Sequence, residues 1–454
     1  MASAAEQLAA NLNFSAFAKA SELKKRILFT LGALVIYRLG TYLPLPGIDP
    51  EALAQAFSQA QSGIIGLFNV FAGGAVGRMA IFALGIMPYI SASIIIQLLT
   101  TVVPKLEQLK KEGEQGRKQI NQYTRYLTVV LATFQAYGIA VGLENGTNIV
   151  TDPGWFFRFT TVVTLVGGTV FLMWLGEQIT SRGVGNGISL IIFAGIVAEL
   201  PGAIAGTLEL GRQGALSTPL ILAVLVLAVV VIGFIVFVER AQRRLIIQYP
   251  KRQMGNRVFQ GESSHLPLKL NTAGVIPPIF ASSLLLIPAT VTGFQAAGQT
   301  PGWLGTVTAY LGHGQPLYML TYAGLIAFFA FFYTAIVFNP SDTADNLKKH
   351  GGYIPGIRPG ERTAQYIDYV LTRITAVGAI YLVIVCLLPE FLISATAVPF
   401  YFGGTSLLIV VSVTMDTVSQ VQSHLLAHQY EGLIEKSRIG RRGGGRSGGG
   451  KKRR

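Results

Sequence analysis

Charge is what this 454-residue sequence most lacks. Asp, Glu, Lys and Arg supply 13% of it, about half the roughly 25% of an ordinary globular chain. The apolar set AVILMFWYC reaches 51% before 52 glycines are added, and the mean hydropathy is +0.50. Too little polar surface remains to wrap cores of this size in water, which excludes an ordinary soluble enzyme. Cysteine is nearly absent too. Cys386 stands alone, so neither an intramolecular disulfide framework nor a multi-cysteine metal site is encoded. No Walker A pattern occurs, and the Gly-rich run Arg182–Gly187 lacks the Lys-Ser/Thr ending of a phosphate loop. It reads as a tight turn. His424 and His428 are four apart on one helix but have no third ligand nearby, too few for a metal centre. Disorder is excluded by 26 Phe and 17 Tyr, which bury themselves wherever they can.

What the chain has instead is long stretches without Asp, Glu, Lys or Arg. They run over 79–104, 126–143, 159–176, 183–198, 213–238, 270–341, 374–389 and 391–415. A bilayer span needs about 20 mostly apolar residues. The 72-residue run 270–341 holds two spans around a Gly/Gln/Thr/Pro-rich loop at 292–316, and a first span covers 27–43. Ten helices result, so both termini are expected on one side. Lys and Arg say which: 32 of the 36 fall in the two tails and alternate connections, and only Arg38, Arg78, Arg158 and Arg212 lie on the other side. Basic loops stay in the cytoplasm. The net charge of +14 is therefore first an orientation signal and a docking surface. The first apolar run carries Arg38 and has no small-residue cleavage site, so it reads as a retained span, with 14–26 as a possible interfacial helix before it. The Gly/Arg-rich end, 441–454, reads as a solvated tail, with an RNA or ribosome contact as the other reading.

Between the first two spans, 52–77 is uncharged but broken by Gly63, Gly66, Gly73, Gly74 and Gly77. Its apolar heart, Ile64, Ile65, Gly66, Leu67, Phe68, Asn69, Val70 and Phe71, is too short to span. Two readings stay open: an interfacial half-helix, or a short re-entrant element in a cavity, since irregular backbone at membrane depth needs protein or water around it. An ion-coupled transporter needs an intramembrane carboxylate, yet Glu177, Glu199, Glu390 and Asp416 are all expected at span ends. Arg38 is the one charge inside a span, placed to snorkel or to pair.

The stretches 82–99 (FALGIMPYISASIIIQLL), 110–125 (KKEGEQGRKQINQYTR), 174–187 (WLGEQITSRGVGNG), 265–280 (HLPLKLNTAGVIPPIF), 339–360 (NPSDTADNLKKHGGYIPGIRPG) and 400–409 (FYFGGTSLLI) resemble the SecY/Sec61-alpha family of protein-conducting channels, almost end to end. The resemblance implies an all-α integral membrane fold. Two inverted five-helix halves, 27–206 and 207–416, close like a clamshell around an hourglass channel, between a cytoplasmic segment 1–26 and a basic tail 417–454. It implies that residues 64–72 form a plug. It also implies a constriction of Ile86, Ile90, Ile188, Ile192, Ile279 and Ile409, of which the first two pairs have the i, i+4 spacing of one helix face. A seam beside Ser91, Gln97 and Ile287 is implied as a lateral gate, although Gln97 could equally hydrogen-bond within the bundle.

The implied platform for a SecA motor or a ribosome is two basic loops at about 240–270 and 340–367. These carry Arg243, Arg244, Lys251, Arg252 and Arg257 in the first, and Lys348, Lys349 and Arg358 in the second. Ribosomal RNA is polyanionic, which suits such a surface. Topology alone also explains these charges, and both roles are compatible. The resemblance further implies SecE and SecG as partners, signal sequences and nascent chains as clients, a bacterial plasma membrane location, and neither cofactor nor catalysis. The rivals are a solute transporter with inverted repeats and an intramembrane protease, for which no Ser/His, paired Asp or HExxH set is evident.

Overall fold

The computed structural model describes residues 21–60, 69–144, 149–214, 217–249, 252–254, 257–259, 263–293, 310, 315–395 and 404–443. The first half is built from α1 (Ser21–Gly40), α2 (Pro50–Ala60), α3 (Met87–Val102), α4 (Pro104–Lys111), α5 (Glu114–Glu144), α6 (Trp155–Arg182) and α7 (Gly187–Arg212). The second contains α8 (Thr218–Arg240), β1 (Gln242–Gln248), β2 (Arg252–Met254), β3 (Arg257–Phe259), β4 (Ser263–Lys269), α9 (Ile276–Gly293), α10 (Pro316–Val337), α11 (Pro340–Lys349), α12 (Glu361–Ala395) and α13 (Gly404–Gly443).

Each of the ten expected spans falls on a helix. Among the described residues seven helices are long and apolar enough to cross a membrane, and the pair α3–α4, bent by 98°, makes an eighth. The elbow is local chemistry: Pro104 has no N–H to continue α3, and it drives Val103 to an extended conformation (φ −96°, ψ 113°). α8 shows how far environment overrides propensity. Its Val/Ile-rich sequence would suit a strand, yet it is helical, because a lipid-facing segment must satisfy its backbone internally. Leu222, Val226, Val229, Val230 and Phe237 accordingly stand exposed on its outer side.

Small residues bring the spans together. On α5, Thr124, Thr128, Ala132, Ala136 and Ala140 recur every four residues and are buried, so one side-chain-poor stripe lets α6 approach closely. The largest apolar core runs through both halves, drawing on α1, α3, α6 and α7 as well as α8, α9, α10, α12 and α13. The turn 183–187 fastens the halves. Val184 N–H donates to Thr30 Oγ1 of α1 at 3.0 Å, and Gly185 N–H donates to Gln420 Oε1 of α13 at 2.9 Å. It is thus the tight turn that its glycines suggest.

Several details depart from expectation. α1 begins at Ser21 and runs unbroken into the first span, so 21–26 is no separate interfacial helix, while 1–20 lies outside the described residues. α2 occupies 50–60, where glycine-free sequence precedes the broken stretch. α7 extends to Arg212, beyond the expected end at 206, which puts Glu199 in mid-helix rather than at a span end. The charge-free run stops at Ala198, but a helix needs no such run once it has emerged from lipid or found a partner. α13 continues to Gly443, so 417–443 is helical and only 444–454 of the tail lies outside the described residues. Loop 240–270 carries two short antiparallel strand pairs. β1 and β4 pair antiparallel from Gln242↔Lys269 to Gln248↔Ser263, and β2 pairs with β3. The alternation that signals this is one short run, with Leu245 and Ile247 buried and Arg244 and Ile246 exposed.

Candidate functional site

The six isoleucines implied as a constriction all belong to, or pack against, the same large apolar core. Ile86, Ile90, Ile192 and Ile409 are 4, 6, 4 and 1% exposed and share one apolar cluster, with the half-buried Ile188 and Ile279 packed against it. They come from the N-terminal ends of α3, α7, α9 and α13, four helices drawn from both halves. Ile86 is not inside α3 but caps it, and Ile90 N–H closes the first turn onto the Ile86 carbonyl at 3.2 Å. The shared face therefore survives.

The described part of the glycine-rich segment packs into the same cluster. Ile64, Ile65, Gly66, Leu67 and Phe68 lie outside the described residues. Asn69, Val70 and Phe71 form a helical turn, and Val70 and Phe71 are buried in the same core as the isoleucines. Asn69 ties the following loop: its Oδ1 accepts from Gly77 N–H at 2.8 Å and its carbonyl from Gly74 N–H at 2.9 Å. Gly73 and Gly74 have φ of +64° and +80°, a region that disfavours side chains. A Cβ on Gly74 would also run into the Arg78 guanidinium and the Glu199 carboxylate.

Two arginines hold this loop; the sequence reading left Arg38 to snorkel or to pair and gave Arg78 no role. Arg38 Nη1 donates to the Gly73 carbonyl at 2.6 Å, and Arg78 Nη2 donates to the same oxygen at 3.1 Å. Arg78 Nε donates to Gly74 O at 3.1 Å, and Arg78 lies 3.6 Å from Glu199. Both guanidinium groups sit over the Tyr42 ring, 4.8 and 4.2 Å from its centroid. The only legible signal was Arg38, a charge inside an apolar run; Glu199 is its mid-helix counterpart, already spoken for by Arg78.

Along the seam, α3 packs against α9. Ser91 is half-buried; Gln97 Nε2 lies 3.4 Å from Ser93 Oγ, and its Oε1 is buried with no partner among the described residues. Ile287 sits on α9, its side chain outside the described residues. On the basic face Arg243 and Arg244 stand exposed on β1, Lys348 and Lys349 in the last turn of α11, and Arg358 in the turn beyond. Arg252 and Arg257 fall on β2 and β3 with side chains outside the described residues, as is the whole of Lys251. The two loops are one platform. Gln248 and Tyr353 exchange backbone hydrogen bonds at 2.9 and 3.0 Å, over a shared core of Leu245, Leu268, Ile354, Ile367 and Ile374.

A two-halved bundle of apolar helices, with one apolar core running through both halves and a glycine-hinged segment tied down by two arginines, fits a helical membrane channel. The matching family model is SecY, over residues 80–418. The protein translocase subunit SecY of Escherichia coli K12 is 59% identical over 421 residues, covering 92% of this chain and 95% of that protein. That of Rickettsia conorii is 55% identical over 423 residues, covering 92 and 97%. Among solved structures, a protein-conducting channel superposes with a TM-score of 0.65 at 18% identity, covering 88% of this chain and 92% of that one. Sec61 in a canine ribosome–channel complex from the endoplasmic reticulum gives 0.61 at 17%, with the same coverage. The chain belongs to the SecY family.

Proposed function

We propose that this chain is the protein-conducting channel of a Sec translocon. It passes unfolded secretory polypeptides across a bacterial plasma membrane and releases apolar helices sideways into it. One observation supports the reading: six isoleucines from four helices of both halves share one apolar core with Val70 and Phe71 of a glycine-hinged segment that Arg38 and Arg78 hold. An extended chain cannot cross hydrocarbon, because each unsatisfied amide costs several kcal/mol, so it needs water up to a short neck. Isoleucine offers that chain no hydrogen-bond partner to hold it, and an apolar neck dewets when empty. Ile86, Ile90, Ile188, Ile192, Ile279 and Ile409 form the neck, residues 64–72 the plug, and the α3–α9 seam with Ser91, Gln97 and Ile287 the lateral exit.

The Lys/Arg partition supports a cytoplasmic side for both termini and the basic face. There the joined loops receive a SecA motor or a ribosome through Arg243, Arg244, Lys251, Arg252, Arg257, Lys348, Lys349 and Arg358, while SecE and SecG complete the membrane complex. The transporter rival loses ground at Glu199, which lies in mid-helix on α7, because Arg78 pairs with it. Crosslinking a stalled secretory chain to photoreactive probes at Ile90 and Ile279 tests the route. Adducts there, and none at the lipid-facing Val229, are expected; the reverse pattern overturns the reading.

A further inference from the structure

On the basic face, where α7 meets α8, α9, α10 and α13, the structure holds a cavity of about 290 Å³. Part of its polar wall holds the fold, as Gln420 does at the 183–187 turn, but not all of it. Glu239, at the end of α8, accepts a 2.7 Å hydrogen bond from Asn271 Nδ2. Asn271 is itself fixed by exchanging 3.1 Å hydrogen bonds with the backbone of Gly274, so it presents the carboxylate in one orientation. Asp416 lines the cavity from α13 and makes no hydrogen bond or ion pair among the described residues. Ser412 lines the same cavity, 7% exposed, and its Oγ has no partner among the described residues. Its neighbours on α13 show what a helical hydroxyl ordinarily does: Thr414 and Thr417 donate back to the Val410 and Val413 carbonyls at 2.6 and 2.7 Å. Ser412 does not. Lys269 is the cation on the wall, leaving two carboxylates against one ammonium.

We infer that this cavity receives a single cationic side chain, Lys or Arg, from the polypeptide entering the channel; the inference rests on the polypeptide-conduit reading above. An ammonium or guanidinium group only donates, so it needs acceptors. Glu239, Asp416 and the spare Ser412 oxygen supply them. Val275, Val337 and Met415 offer apolar wall for the methylene stem. A cavity of this volume, at the small end for ligand sites, fits one long side chain and not a helix about 10 Å across. Its position suits a client already at the neck. Ser189 follows Ile188, Ile276 is one turn before Ile279, and Ser412 is three residues after Ile409. The site is a local acidic hollow in a basic face. It retains the positive flank of an apolar segment on that face while the segment itself moves to the seam.

The test uses the full chain with its membrane partners in sealed vesicles, and two precursors identical except for three Lys or three Gln ahead of the apolar segment. Wild-type channel should engage the Lys precursor faster, and a photoreactive group on that flank should crosslink to 271–276 and 412–416. Asp416→Asn and Glu239→Gln should each slow Lys-precursor engagement about tenfold, as expected for loss of a charge-assisted hydrogen bond, and Ser412→Ala about threefold. The Gln precursor should be unaffected, and Asp416→Lys should favour a precursor with three Glu. Equal loss for both precursors, or no loss, overturns the inference. Asp416 is exposed, so Asp416→Asn decides even if Glu239→Gln fails to assemble. A wild-type channel that engages neither precursor would instead defeat the conduit reading.

Discussion

Arg78 does three things with one guanidinium: it donates to two glycine carbonyls, pairs with Glu199 and covers Tyr42. Its side chain is 37% exposed, so water discounts each contact to about 1 kcal/mol. Arg78→Gln should therefore raise the unplugged population about fivefold, seen as increased resting ion conductance in planar bilayers. Arg38 still grips Gly73, so the double variant Arg38→Gln/Arg78→Gln should exceed the sum of the two; strict additivity would show that the arginines do not share a carbonyl. At the neck, Ile192→Asn places an amide in the apolar cluster and should wet it, again raising conductance. If conductance stays at the wild-type level, Ile192 is ordinary core.

Elements carry the stability. The α5 stripe has no room for volume, so Ala136→Leu should overpack the α5–α6 contact at a cost of about 1–3 kcal/mol. A lowered thermal midpoint in detergent, with Val130→Leu on the exposed side of the same helix as the neutral control, would report it. The spans were legible because a bilayer imposes a length and forbids charge, and those two rules leave long unambiguous runs such as 213–238. What stayed illegible obeys neither rule. The β1–β4 ladder rests on a short alternation, the α2 helix on eleven residues outside the lipid, and the mid-helix position of Glu199 on an ion pair made with a residue 121 positions earlier. Of the site, the isoleucine spacing within α3 and α7 could be read, but not the core they share with Ile279 and Ile409, which needs the tertiary fold. The Glu239–Asn271–Ser412–Asp416 cavity left no trace in sequence at all, since it gathers residues from three elements.

At the scale of the whole molecule, topology and docking separate cleanly. Reversing Arg243 or Arg358 changes exposed charge on a platform whose apolar core is elsewhere. Export of a secreted reporter should fall severalfold, while membrane insertion of the channel and its co-purification with SecE remain intact; loss of insertion would mean that these charges only set topology.

The Gln248–Tyr353 exchange has a mechanical corollary. The β1–β4 ladder grows directly out of α8, with Leu270 N–H closing onto the Ala241 carbonyl at 2.9 Å, and it leads into α9. Tyr353 belongs to the stretch joining α11 to α12. A force applied to either loop by a docked machine is thus borne by both, and reaches three spans at once as if through a yoke, so neither handle can be tugged alone.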